Sequence, residues 1–182
     1  MKKMSGKLGI TSAKTIALVG IMAATVECGK LALSFLPNIE VVTLLLAVYG
    51  YVFGYLGVFA AFVFVSIEPL IYGFGPWVVS YFIYWPLVAF VFCILGRKKI
   101  HSRIISTSVA VGLTVFFGIL SSAVDVALYL GVNSYYFSNL ALYYVRGIVF
   151  CSVQIVCNAV LFPLLFEFLV RKLDIIKGRM SA

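Results

Sequence analysis

Apolar residues run in long blocks along this chain, and the polar positions collect in a few short stretches between them. The longest block sets the frame. From Val41 to Ile67 there is no charged residue. As one helix it would reach about 40 Å, more than the roughly 30 Å of hydrocarbon that a span crosses. A single crossing here would also put Arg97, Lys98, Lys99 and Arg103 on the opposite side from the basic N-terminus. Two short helices, 41–53 and 55–67, reconcile length with charge. Gly50, Gly54 and Gly57 offer the reversal and close helix contact this requires. Each helix covers only about 20 Å. The turn between them has no lysine or arginine, so its free backbone groups need cover from neighbouring protein, which the sequence suggests is a partner.

The other blocks predict helices over 11–35, 78–95, 105–130 and 140–170. The fold expected is an all-α integral membrane protein, a six-helix bundle forming one domain over 1–182, with helices 2 and 3 short and both termini cytoplasmic. Composition agrees: 64% of residues are hydrophobic, 11% are charged and mean hydropathy is +1.15, far from soluble domains. The N-terminal stretch through IALVGIMAAT has the look of a signal peptide, but Glu27 precedes Cys28 and the apolar pattern continues to Leu36. It reads as a retained first span.

The net charge of +8 matters through its distribution. Lys2, Lys3, Lys7 and Lys14, then Arg97, Lys98, Lys99 and Arg103, then Arg171, Lys172, Lys177 and Arg179 form three clusters beside apolar blocks. That pattern marks cytoplasmic ends of spans, with attraction to anionic lipid, rather than a nucleic-acid surface. The bilayer is the expected environment and the cell membrane the expected location.

The segments between spans carry the first candidate residues. IEPLIYGFGPW, residues 67–77, contains Glu68, Tyr72 and Trp77. It reads either as an interfacial turn with aromatics at the headgroups or as an outer loop that closes over a ligand. GVNSYYFSN, with Asn133 and Tyr135, is a second outer loop. The fourth span adds Tyr81, Tyr84, Trp85 and Pro86.

Ionisable residues inside apolar blocks are expensive and mark function or pairing. Asp125 and Arg146 fall about 10 Å below the outer ends of their helices, as an ion pair or as ligand contacts. On the sixth helix Asn139, Tyr143, Arg146, Phe150, Gln154 and Cys157 recur every three or four residues, which predicts an inward polar and aromatic stripe. With the outer loops this describes either a small-molecule cavity or a tightly packed polar core. Glu27 and Lys30, three apart, are placed to pair on one helix surface. On the first helix Ala13, Ala17, Gly20 and Ala24 share a face that lets another helix approach closely.

Enzyme chemistry is not expected. There is no GxxxxGK[ST] phosphate loop, and the single histidine, His101, lies in the basic loop away from Cys28, Cys93, Cys151 and Cys157. No metal site or bound cofactor is expected, and the cysteines read as small hydrophobes.

The run Ala13-Lys-Thr-Ile-Ala17, the turn PNIEVVTLL into a short helix, the reversal GYVFGYLG and the six-helix plan together resemble the substrate-binding S components of energy-coupling factor (ECF) transporters. The resemblance covers essentially the full length, and PNIEVVTLLLAVYGYVFG is most similar to the cobalamin-uptake subgroup. It implies capture of a vitamin or related micronutrient from outside. It also implies partners, a transmembrane coupling protein and two ATPase subunits that use the ATP. By resemblance, Ala13, Ala17, Gly20 and Ala24 would dock the coupling protein, and the outer loops with the last three helices would hold the solute. The alternatives are a self-sufficient permease or a membrane scaffold that binds no solute.

Overall fold

The computed structural model describes residues 13–36 and 39–180. Lys2, Lys3, Lys7, the expected helix start at Thr11 and the turn residues Pro37 and Asn38 lie outside the described residues. The described residues form six helices: α1 Ala13–Ala32, α2 Val42–Phe53, α3 Tyr55–Tyr72, α4 Trp77–Arg97, α5 Arg103–Tyr129 and α6 Tyr136–Met180. All but α2 are long and apolar enough to cross a membrane. The protein is an all-α, multi-pass membrane bundle.

α2 is the centre of the bundle. Val42, Thr43, Leu44, Val52 and the run Leu46–Gly50 are buried, as expected when an apolar helix about 18 Å long is enclosed by protein on all sides. Glycines bring its neighbours to backbone contact. A methyl group at Gly50 would lie 2.0 Å from the Ala89 carbonyl oxygen of α4, and one at Gly96 of α4 would lie 2.2 Å from that of Tyr51. A methyl group at Gly57 of α3 would meet the Tyr49 carbonyl carbon at 2.4 Å. The expected reversal falls at Gly54, whose φ of +65° suits glycine.

The last helix of the chain supplies one of the groups that this reversal needs. The Lys177 ammonium of α6 donates to the Val52 carbonyl at the end of α2. One residue earlier, the Tyr51 hydroxyl donates to the Ile100 carbonyl at 3.1 Å and lies 3.0 Å from His101 Nδ1. The Val52 carbonyl at the end of α2 thus meets a donor from the basic end of the same chain.

α3 is longer than the sequence pattern predicts. It continues through Pro69 to Tyr72, and Gly73 (φ +82°) ends it by donating its N–H to the Pro69 carbonyl at 3.0 Å. Glu68 and Tyr72 therefore stand on a helix, Trp77 opens α4, and only residues 73–76 connect the two. A four-residue turn of this kind is too short for the closing loop considered over 68–77.

α6 also exceeds its expected bounds, at 45 residues. It passes through a π turn, Phe162–Phe166, where Pro163 supplies no N–H. At 1.5 Å per residue it measures about 67 Å, well beyond the bilayer core. Its final turns carry Arg171, Lys172, Lys177 and Arg179, and Arg103 Nε donates to Glu167 Oε2 at 2.9 Å across that end of the bundle.

Candidate functional site

A belt of polar side chains crosses the bundle toward the end remote from the basic loops. Counted along the helices from the basic end, Glu68 lies about 20 Å above Tyr55, Tyr84 about 20 Å above Arg97 and Thr114 about 16 Å above Arg103. Glu68 is completely buried. The Lys30 ammonium of α1 forms an ion pair with Glu68 Oε2. It also lies 4.1 Å from the centre of the Tyr72 ring and 5.8 Å from that of Tyr81, so aromatic faces complete its surroundings. Glu27 is buried beside it, with the Tyr72 hydroxyl 3.5 Å from its Oε1. The i, i+3 spacing on α1 predicts that Lys30 pairs with Glu27. Lys30 instead pairs with Glu68, because α3 extends far enough to bring that carboxylate against α1.

The other half of the belt is built around Glu40. Glu40 Oε2 accepts from the Thr43 N–H at 2.9 Å and Oε1 accepts from the Thr43 hydroxyl at 2.6 Å, which caps α2. Asn158 of α6, fully buried, donates to Glu40 Oε1 at 3.1 Å and to Thr114 Oγ1 of α5 at 3.0 Å. Cys157 Sγ donates to the Glu40 carbonyl at 3.4 Å. No ion pair includes Glu40 among the described residues; three donors and the positive end of α2 oppose its charge.

Aromatic rings join the two halves. Trp77, Tyr81 and Trp85 stack edge to face down α4 at 5.1 and 5.6 Å. Phe64 of α3 meets Trp85 at 6.3 Å, and Tyr84 meets Phe117 of α5 at 4.6 Å. Trp85 Nε1, Ser80 Oγ and Asn158 Oδ1 are buried polar atoms with no hydrogen-bond partner among the described residues.

Of the residues singled out in the sequence, Glu68, Tyr72, Trp77 and Tyr84 belong to this belt or its aromatic edge. Of those on α5 and α6, Cys157 reaches the belt through the Glu40 carbonyl and the others lie apart from it. Gln154 and Phe150 line a cavity of about 80 Å³ between α5 and α6, together with Phe117, Ser121, Tyr144 and Cys151. Asn139 and Tyr143 are half-buried. Tyr135 is 72% exposed. Asn133 serves the turn itself: its Oδ1 accepts from the Tyr135 N–H at 2.9 Å and its Nδ2 donates to the Leu130 carbonyl at 3.2 Å.

Asp125 and Arg146 do not form the expected ion pair. Arg146 is exposed, with its guanidinium 5.8 Å from the centre of the Tyr143 ring, so the stripe does not turn wholly inward. α6 starts at Tyr136 rather than 140, so Arg146 lies about 15 Å along it, against about 6 Å for Asp125 from Tyr129. The two helices meet with Gly118 against Cys151 and Tyr144, a register that sets the two charges at different heights. Sequence reading passed over Glu40, Thr114 and Asn158 as site residues, although an asparagine inside an apolar block is itself a signal.

Neither the family models, nor the curated proteins, nor the solved structures contain a match to this chain.

Proposed function

We propose that the chain is the solute-capturing subunit of an ECF-type importer in the cell membrane. On this reading it binds a vitamin or related micronutrient, with cobalamin the candidate suggested by the sequence resemblance, and delivers it through a separate coupling protein and ATPase pair. The observation that carries the reading is the outward face of α1. Ala13, Ala17, Gly20 and Ala24 are all exposed, while Thr15, Met22, Ala23 and Val26 bury the opposite side. An apolar groove of about 360 Å³ between α1 and α3 flanks Gly20, and another of about 450 Å³ toward the end of α6 flanks Ala17. A smooth strip between two grooves suits the close approach of a partner helix. The unpaired polar atoms and aromatic rings of the belt support solute capture, since small-molecule sites combine apolar walls with a few polar groups.

Uptake of radiolabelled cobalamin into cells, with and without a co-expressed coupling protein and ATPase pair, tests this. Ala17→Trp is expected to abolish uptake while binding by the purified chain survives. Uptake by the chain alone in liposomes would instead identify a self-sufficient permease. Mass spectrometry of molecules retained on purification separates both from a scaffold, which would retain none.

A further inference from the structure

The ion pair between α1 and α3 is unbalanced: two buried carboxyls, Glu27 and Glu68, face one ammonium, Lys30. Each carboxyl has one oxygen engaged, Glu68 Oε2 by Lys30 and Glu27 Oε1 by the Tyr72 hydroxyl. The remaining oxygens, Glu68 Oε1 and Glu27 Oε2, are buried and have no donor among the described residues. Both carboxyls converge on the same spot, since the Lys30 ammonium that pairs with Glu68 lies over the ring of Tyr72, whose hydroxyl meets Glu27. Carboxylates are acceptors only, so neither can satisfy the other's free oxygen unless one of them carries a proton.

We propose that Glu27 and Glu68 form a proton-binding site, holding a single proton between Glu27 Oε2 and Glu68 Oε1. That proton supplies the missing donor to both unpaired oxygens and brings the cluster to neutrality with Lys30. Isolated charge in an apolar interior is costly, and like charges in contact do not both ionise. Among the described residues no other cation pairs with either carboxyl. Tyr72 faces the pair from α3, Tyr81 faces it from α4, and beyond Tyr81 lies the acidic Glu40. α2, which completes the wall, contains no charged residue. The site lies near the ends of α1 and α3 remote from the basic loops, beside the partly exposed Tyr72 (47%), so protons enter from that side. Seating α1 against α3 there takes up one proton that two separated, hydrated carboxylates would release.

Infrared spectroscopy of the solubilised full chain in heavy water at neutral pH tests the proposal, with thermal unfolding between pH 5 and 9 as the second readout. The wild type is expected to show a carboxylic-acid carbonyl band that Glu27→Gln and Glu68→Gln each remove. Its unfolding equilibrium constant is expected to rise with pH by up to tenfold per unit, the slope of one proton held only by the folded state. Glu27→Gln donates an amide N–H to Glu68 in place of the proton, so it should fold and lose that slope. If Glu68→Gln fails to fold, the wild-type and Glu27→Gln spectra decide alone. Absence of the band from the wild type, or its persistence in Glu27→Gln together with an unchanged pH slope, would overturn the proposal.

Discussion

Lys30 and Glu68, separated by 38 residues of chain, are joined directly: the ammonium of one sits on a carboxylate oxygen of the other. The lysine keeps 27% of its side chain in contact with the surroundings and the glutamate 1%, so the glutamate depends on the lysine more than the reverse. Removing one partner of a buried pair leaves the other charge uncompensated, at a cost of about 3–5 kcal/mol. Lys30→Met is expected to lower stability by that order. Adding Glu27→Gln together with Glu68→Gln, which removes both buried acids, should recover most of the loss, and thermal unfolding of the single and triple variants measures the difference.

The glycines of the α2 contacts make a second, sharper prediction. Gly50→Ala and Gly96→Ala place methyl carbons 2.0 and 2.2 Å from carbonyl oxygens of facing backbone, so helices must separate, at about 1–3 kcal/mol or more each. Gly112→Ala on α5 meets nothing within 4 Å and should stabilise by about 0.5–1 kcal/mol. Comparative melting of the three variants checks both signs.

Lys177 holds the α2–α3 reversal through the Val52 carbonyl. Loss of a donor to a buried carbonyl costs about 1–3 kcal/mol, so Lys177→Met should destabilise the protein and increase hydrogen exchange at Gly54 and its neighbours. Unchanged exchange there would contradict this role.

Asp125 and Arg146 are expected to behave independently. Asp125→Asn, Arg146→Gln and the double variant should give unfolding free energies that add to within about 0.5 kcal/mol, as for residues that share no contact. A larger coupling energy in this cycle would restore the ion pair.

Side placement is checked by labelling single cysteines at Lys98 and Ser134. The basic loop is expected to be protected from an impermeant reagent applied outside, and Ser134, exposed between α5 and α6, to react. The opposite pattern would invert the bundle.

The number of helices, the reversal at Gly54 and the gathering of basic residues at one end were legible because hydrophobic length, glycine and charge are local signals. The end of α3 was misread for a local reason too. Glu68 and Pro69 look like loop residues, yet α3 runs on through Pro69 to Tyr72, giving up the one backbone bond that the proline cannot donate. The belt was illegible because its bonds are not local: Lys30 meets Glu68 across 38 positions, and Asn158 meets Glu40 across 118. Spacing along one helix favoured Glu27 for Lys30 and hid the competitor on another. Equal estimated depths favoured an Asp125–Arg146 pair until the true start of α6 separated them.

The enclosure of α2 has a consequence for how the chain enters its membrane. A 12-residue helix about 18 Å long does not cross a bilayer unaided, and its closest wall is α4, contacted through Gly50 and Gly96. α4 is synthesised after it. During biogenesis the α2–α3 hairpin must therefore wait, thinly solvated or sheltered by the insertion machinery, until residue 97 has emerged and the glycine contacts close. A variant that spoils those contacts is expected to be lost to quality control during synthesis, before any solute or partner is met.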